Sequence, residues 1–327
     1  MSTKKEAYLC LSAMLRAREP RLLNAERAGR MLDASGFEEA AKLLCDCGYE
    51  DMSQYSAADI DRALTEHRNG IFDELCRLCP DKALPELFRL RYDYHNAKTL
   101  LKAEAMGTDP DRLLSGSGRL RPEKLKESYR EERYSELGEL GRTMKQAKEL
   151  LSRTGNPQLA DFELDRSYFA EMKALAEGLD NRFVSGYVRL LIDSANLRSL
   201  VRTVRMGKNS DFLESVLIPG GTDCDRLSAA DGETLSALYT HTPLEEAAVL
   251  GAEAMNGGTM TAFERACDNA VSRYLKGAKL IAYGPEAVVA YLFAVENEIT
   301  ALRMILTGRL AGVSAAQIRE RMRELYA

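Results

Sequence analysis

A chain of 327 residues with 45 Lys and Arg against 50 Asp and Glu has a net charge of −5, too balanced for a global pull toward nucleic acid or an anionic membrane surface. Its seven cysteines, at 10, 45, 47, 76, 79, 224 and 267, are an odd number, and the opening MSTKKEAYLC holds no apolar leader; both read as a reduced, cytosolic chain. The longest apolar run, AVVAYLFAV at 287–295, is well under the roughly 18 to 20 residues of a membrane-spanning helix.

Helical spacing of apolar residues dominates, Trp is absent, and Ala, Leu, Glu, Arg and Lys are abundant, so the sequence predicts an all-α protein with no strand. In chain order the expected helices are 2–18, 24–34, 36–47, 56–79, 83–106, 122–153, 162–177, 182–206, 226–238, 243–256, 259–276, 285–307 and 314–325. Ser56 before AADIDRAL reads as an N-cap and Pro122 as a first-turn residue. Gly107 and Gly207 read as left-handed helix stops.

One of these helices is written three times. RYDYHNAKTLLKAEAMG (91–107) and LIDSANLRSLVRTVRMG (191–207) share an acid, Asn three residues on, a base five on, an apolar pair and Met-Gly: Asp93, Asn96 and Lys98, then Asp193, Asn196 and Arg198. VENEITALRMILTGRLAG (295–312) is a weaker copy, with Glu298 for the acid, Arg303 for the base and Ala301 where Asn stood. The acids lie 100 and 105 residues apart, longer than solenoid or propeller units, so the period marks domains: 1–116, 117–220 and 221–327. The loops correspond too. LLSGSGRLRPEKL (113–125) and VLIPGGTDCDRL (216–227) each run from an apolar pair through a glycine turn into a new helix. Asp61, Asp165 and Asp268 precede the repeated acids by 32, 28 and 30 residues, which suggests a helical hairpin ending in the repeated helix of each copy.

On a helical wheel the acid shares a stripe with Leu90, Ala97, Leu100 and Leu101 in copy one. The same stripe is Leu190, Leu197, Leu200 and Val201 in copy two, and Val295, Leu302, Ile305 and Leu306 in copy three. A carboxylate there must find partners, because burying it alone costs several kcal/mol. Three such acids could form a metal or catalytic cluster, or each could bond backbone or an Arg of a neighbouring unit. The second is favoured, since His95 has Ala195 and Thr300 as its counterparts and no histidine accompanies the acids.

Other chemistry is sparse. Cys45, Cys47, Cys76 and Cys79 are four thiols, but their 28-residue gap and helical setting fit ordinary cysteines better than zinc ligands. GSGRL and IPGGT lack the Lys-Ser/Thr of a phosphate-binding loop and follow no strand, so they read as turns. His67, His95 and His241 are scattered. The basic runs RSLVRTVRMGK and IRERMREL have acids nearby and read as solvated helix faces. Neither a catalytic site, a cofactor nor a metal is expected.

RYDYHNAKTLLKA, LIDSANLRSLVRTVRMG, LIPGG and the ending AYGPEAVVAYLFAVENEITALRMILTGRLAGVSAAQIRERMRELYA closely resemble the C subunits of the bacterial and archaeal V/A-type ATPases, relatives of the eukaryotic V-ATPase d subunit. The resemblance spans essentially the whole chain, in the family's order, and is most specific from Tyr283 onward. It implies three similar helical domains in a funnel around a pseudo-threefold axis. The funnel would sit on the cytoplasmic face of the membrane rotor ring, one copy per complex, with the foot of the central shaft in its mouth. It also implies a coupler of H+ or Na+ transport without an active site. The departures, Glu298 for Asp and Ala301 for Asn, both fall in the third copy. A free-standing helical scaffold or regulator, or a helical metal-dependent enzyme, are the readings that compete with it.

Overall fold

The computed structural model describes residues 5–327, and every regular element among them is helical. The predicted first helix begins at residues 2–4, outside the described residues. From Glu6 it runs as a 3-10 turn (Glu6–Tyr8), α1 (Leu9–Arg18) and a second 3-10 turn (Glu19–Arg21). Then come α2 (Ala25–Asp33), α3 (Phe37–Lys42), α4 (Ala57–Leu78) and α5 (Ala83–Met106). Ser56 caps α4 in a capping box with Asp59, as the sequence suggested.

The predicted helix 122–153 is two helices, α6 (Pro122–Arg130) and α7 (Gly138–Thr154), parted by Glu132 at φ 57° and a 3-10 turn at Tyr134–Leu137. Gly141 lets α7 lie against the Tyr134 carbonyl, where a side chain would collide with it. α8 (Pro157–Gly178) starts five residues before the expected 162, capped by Asn156, whose side chain accepts the Gln158 N–H. α9 (Arg182–Arg205) follows, then a helix the apolar spacing had not shown, α10 (Ser210–Val216), capped by Asn209.

The expected 226–238 helix is divided into α11 (Cys224–Ser228) and α12 (Gly232–Leu238). Beyond α13 (Glu245–Met255), α14 (Met260–Lys276) and α15 (Pro285–Leu310), the last helix α16 (Ala315–Arg321) stops short of the predicted 325. Residues 322–327 are extended because they are held that way. Arg323 pairs with Asp268 at 2.6 Å, the Glu324 N–H donates to Asn269, and Leu325 and Tyr326 are buried.

The chain forms two compact units, one holding the described residues up to Pro85 together with Leu235–Ala327, the other Glu86–Thr234. These units cut the chain at other places than the sequence period does. The first is built on α15, whose Ala287–Leu292 stretch is buried on every side, as a helix apolar all round must be. It packs on α1, α2, α3, α4, α14 and α16. α4 lies antiparallel to it, since Asp61 meets Arg303 at 2.7 Å and Arg68 meets Glu296 at 3.7 Å. In the second unit α7, α8, α9 and α10 pack in succession, and α5 joins α8 through Lys98–Asp165 and Lys102–Asp161, both 2.6 Å. All twelve residues of the repeated stripe are buried, each contributing about 1.5–3 kcal/mol where a Leu, Ile or Val is fully enclosed.

The three repeated helices also end alike. Gly107, Gly207 and Gly312 sit at φ 63°, 64° and 74°, and the N–H after each glycine reaches back to Ala103, Thr203 and Gly308, a left-handed closure that only glycine adopts without strain. No helix among the described residues is long and apolar enough to cross a membrane.

Candidate functional site

The repeated acids are all engaged, and in the same way. In copy one Asp93 is fully buried on α5. Its Oδ1 accepts the Leu120 N–H at 3.1 Å and its Oδ2 the Arg119 Nε at 2.8 Å. Arg119 continues to Glu171 at 2.8 Å, and Glu171 also accepts the Tyr94 hydroxyl at 3.0 Å. One turn along α5, Asn96 takes both backbone groups of Ser115, donating to its carbonyl at 2.8 Å and accepting its N–H at 2.7 Å. One turn back, Arg89 Nε donates to the Ser117 and Gly118 carbonyls. Residues 89, 93 and 96 share one helix face, and that face holds the whole loop 115–120 in place.

Copy two repeats the device. Asp193 accepts the Thr222 N–H, and Asn196 pairs with both backbone groups of Ile218 at 2.8 Å each. In copy three Glu298 accepts the Leu23 N–H at 2.6 Å and the Tyr49 hydroxyl, while Ala301 offers no amide. The position grasped by the acid is the same each time. Leu120, Thr222 and Leu23 immediately precede the N-caps Arg121, Asp223 and Asn24 of α6, α11 and α2. An N–H there lies outside the helix ladder and needs a partner from elsewhere. Each acid is therefore a latch that fixes where the next helix starts.

The bases lie outside this face. Lys98 pairs with Asp165 at 2.6 Å and Arg303 with Asp61 at 2.7 Å; Arg198 donates to Ser194 of its own helix at 3.1 Å. The helices of the hairpins expected for copies two and three do pack on each other, α8 on α9 and α14 on α15, while the first two ion pairs run between copies. The base of copy one meets the upstream Asp of copy two, and the base of copy three meets the upstream Asp of copy one. Being partly exposed, such pairs add about 0–1 kcal/mol each.

Four residues that complete the latches were not singled out in the repeat: Arg119, Tyr49 and the close-approach glycines Gly118 and Gly221. A Cβ on Gly118 would lie 2.2 Å from Asp93 Oδ1, and one on Gly221 2.3 Å from Asp193 Oδ1, both far inside van der Waals contact. The glycines of GSGRL and IPGGT are where the loop must press against a carboxylate, which matching the two loops to the two acids could have suggested.

The other candidates stand apart. Burial pushes the Cys47 and Cys79 thiols up to about 11, while Cys45 is exposed. Among the described residues no three His, Cys, Asp or Glu gather as metal ligands would. His67 packs against Tyr49 with centroids 4.2 Å apart and the rings tilted by 33°, and His95 contacts the Leu113 carbonyl at 3.1 Å.

The latches have two measurable consequences. Asp193, 13% exposed, leaves the Thr222 N–H without its acceptor when truncated, so Asp193→Ala is expected to lower stability by about 1–3 kcal/mol. An unchanged denaturation midpoint would refute it. The second concerns pH. Burial raises the pKa of Glu298 above its ordinary value, against the pull of the Tyr49 hydroxyl and the Leu23 N–H. A carboxyl raised in the folded state binds more protons there than in the unfolded chain. Its contribution to stability is full below the unfolded pKa and is lost as pH rises through the folded one. Glu298→Gln keeps an oxygen for Leu23 and removes the titration. Its stability relative to wild type should therefore increase with pH across that window in denaturation at stepped pH; parallel profiles would contradict the assignment.

Comparison with known proteins gives these helices a family. The model of the ATP synthase (C/AC39) subunit family matches residues 11–321. The chain is 25% identical over 327 residues to the C subunit of the V-type sodium ATPase of Enterococcus hirae, covering 98% of this chain and 99% of that one. It is 25% identical to the C subunit of the V-type ATP synthase of Thermus thermophilus, with 96% and 97% covered. With the C subunit of the A-type ATP synthase of Thermococcus onnurineus it shares 24% identity, over 97% and 90% of the two chains. A match running almost from end to end, on a chain whose long helices carry one motif three times, means that it belongs to the ATP synthase (C/AC39) subunit family and is a subunit of a V/A-type rotary ATPase.

Proposed function

We propose that the chain is the non-catalytic central-stalk subunit of its complex, joining the central shaft to the membrane rotor ring so that ATP turnover and H+ or Na+ movement are coupled. In this reading it lies on the cytoplasmic face of the membrane, one copy per complex. Its sequence repeats 1–116, 117–220 and 221–327 form three similar domains around a pseudo-threefold axis, open as a funnel toward the shaft. The observation that carries the reading is the use made of the repeated polar residues. Asp93, Asn96, Asp193, Asn196 and Glu298 all bind backbone or side-chain partners that set the start of the next helix. A part that transmits torque needs this kind of investment, because latched loops and long packed helices resist bending where free loops would yield.

The test is a membrane complex assembled without the chain. ATP hydrolysis by the soluble head is expected to persist while ATP-driven ion transport into vesicles is lost, and adding the purified chain back should restore transport. Normal pumping without the subunit would overturn the proposal.

A further inference from the structure

The third latch grasps a segment from the far end of the numbering. α15 is followed in sequence by residues 311–317, yet the N–H that Glu298 binds belongs to Leu23. In the first two copies the acid holds the residue before the N-cap of a helix that follows in the chain, α6 after α5 and α11 after α9. In copy three the helix in that position is α2, with Asn24 as its N-cap. The polar surroundings agree: Tyr49 donates to the second Glu298 oxygen, and Arg309, late on α15, donates to the Ala34 carbonyl just past α2. α16 reaches the same helix through Arg319 and Asp33.

We infer that residues 19–24 are a strap that Glu298 locks to α15, so that the loop and following helix of the third copy are supplied by residues 19–33. The repeat is then closed in space while its sequence order is shifted by one loop and helix. Two features fit a latch adapted to a distant segment. Glu298 is one methylene longer than the aspartates of copies one and two, and a tyrosine hydroxyl on its free oxygen stands where copy one has Arg119. Ala301 is also accounted for. The strap enters from α1 and the 3-10 turn Glu19–Arg21, not from the end of the repeated helix, and so lacks the intervening loop that Asn96 and Asn196 hold. The mechanical consequence is that 19–33 and 285–310 act as one element, and neither can leave the core without exposing a buried carboxylate.

Hydrogen exchange on the intact chain tests this. In wild type the Leu23 amide should be protected to the level of the α15 core amides. Glu298→Ala should speed exchange at Leu23, and tryptic cleavage at Arg21, about tenfold or more, as expected when a buried hydrogen bond is lost locally. Residues 115–122 and 216–224 should not change. Glu298→Gln, which keeps the acceptor, should stay within about threefold of wild type. An unprotected Leu23 amide in wild type would overturn the inference whatever the variants do. Release of 311–317 in place of 19–24 by Glu298→Ala would also overturn it, because the latch would then serve the segment that follows it in sequence.

Discussion

Arg119→Ala is expected to lower stability by about 3 kcal/mol, the lower end of the range for breaking a buried ion pair, since Arg119 is 23% exposed and Asp93 not at all. The guanidinium serves two carboxylates from one position, Asp93 through Nε and Glu171 through Nη1, both at 2.8 Å. Its removal takes away the one side-chain cation on the buried Asp93 and leaves it backbone N–H groups alone, those of Leu120 and residue 119. Burial already raises the pKa of Asp93, and Arg119 is the first of the groups opposing that rise. Without it the folded-state pKa moves further up, and the stability tied to the protonated form is lost as pH increases through that value. The cost should therefore be larger at neutral pH than in acid, which denaturant midpoints at stepped pH would show. Arg119→Lys should fall between, because one ammonium lacks the fork that reaches two acceptors at once. A pH-independent loss would mean that Arg119 matters through packing alone.

Gly118→Ala and Gly221→Ala are expected to cost about 3 kcal/mol each, combining overpacking with a lost latch hydrogen bond. The new methyl group and a carboxylate oxygen cannot share the space beside Asp93 or Asp193. Either the loop lifts from the repeated helix or the acid swings away from Leu120 or Thr222. The neighbouring Gly116 is the control: no atom lies within 4 Å of its would-be Cβ, so Gly116→Ala should be neutral or stabilise by about 0.4–1 kcal/mol through the unfolded chain. The cause is checked by coupling. In Gly118→Ala combined with Asp93→Ala the methyl has room, so the double variant should cost clearly less than the sum of the two single ones. Additive losses would show that the glycine is needed for some other reason.

Much of this molecule is readable from spacing. The 3.6-residue period placed the long helices, because a helix that buries one stripe must write that stripe in its sequence, and all twelve stripe residues are buried. The same periodicity put Asp93, Asp193 and Glu298 among apolar neighbours and so required partners for them. Backbone and an arginine, the partners favoured from sequence, are what Asp93 found. Helix ends were legible where one residue type settles them, as at Ser56, Gly107 and Gly207.

What spacing could not carry was the pairing between distant segments. Helix 122–153 broke because Gly138 and Gly141 let the chain fold back on Tyr134, a contact that helical periodicity does not encode. The C-terminal 322–327 left the helix because Asp268 and Asn269 bind it as an extended segment. The partner of each repeated acid and base was likewise a tertiary decision. The sequence determined that three long helices each bring a carboxylate into the core, because the apolar stripe and the acid lie within a single helix. Only the folded chain decided that Lys98 meets Asp165, Arg303 meets Asp61 and Glu298 closes on Leu23. Those choices depend on which helices lie side by side, and packing settles that through shape and buried area that no local pattern records.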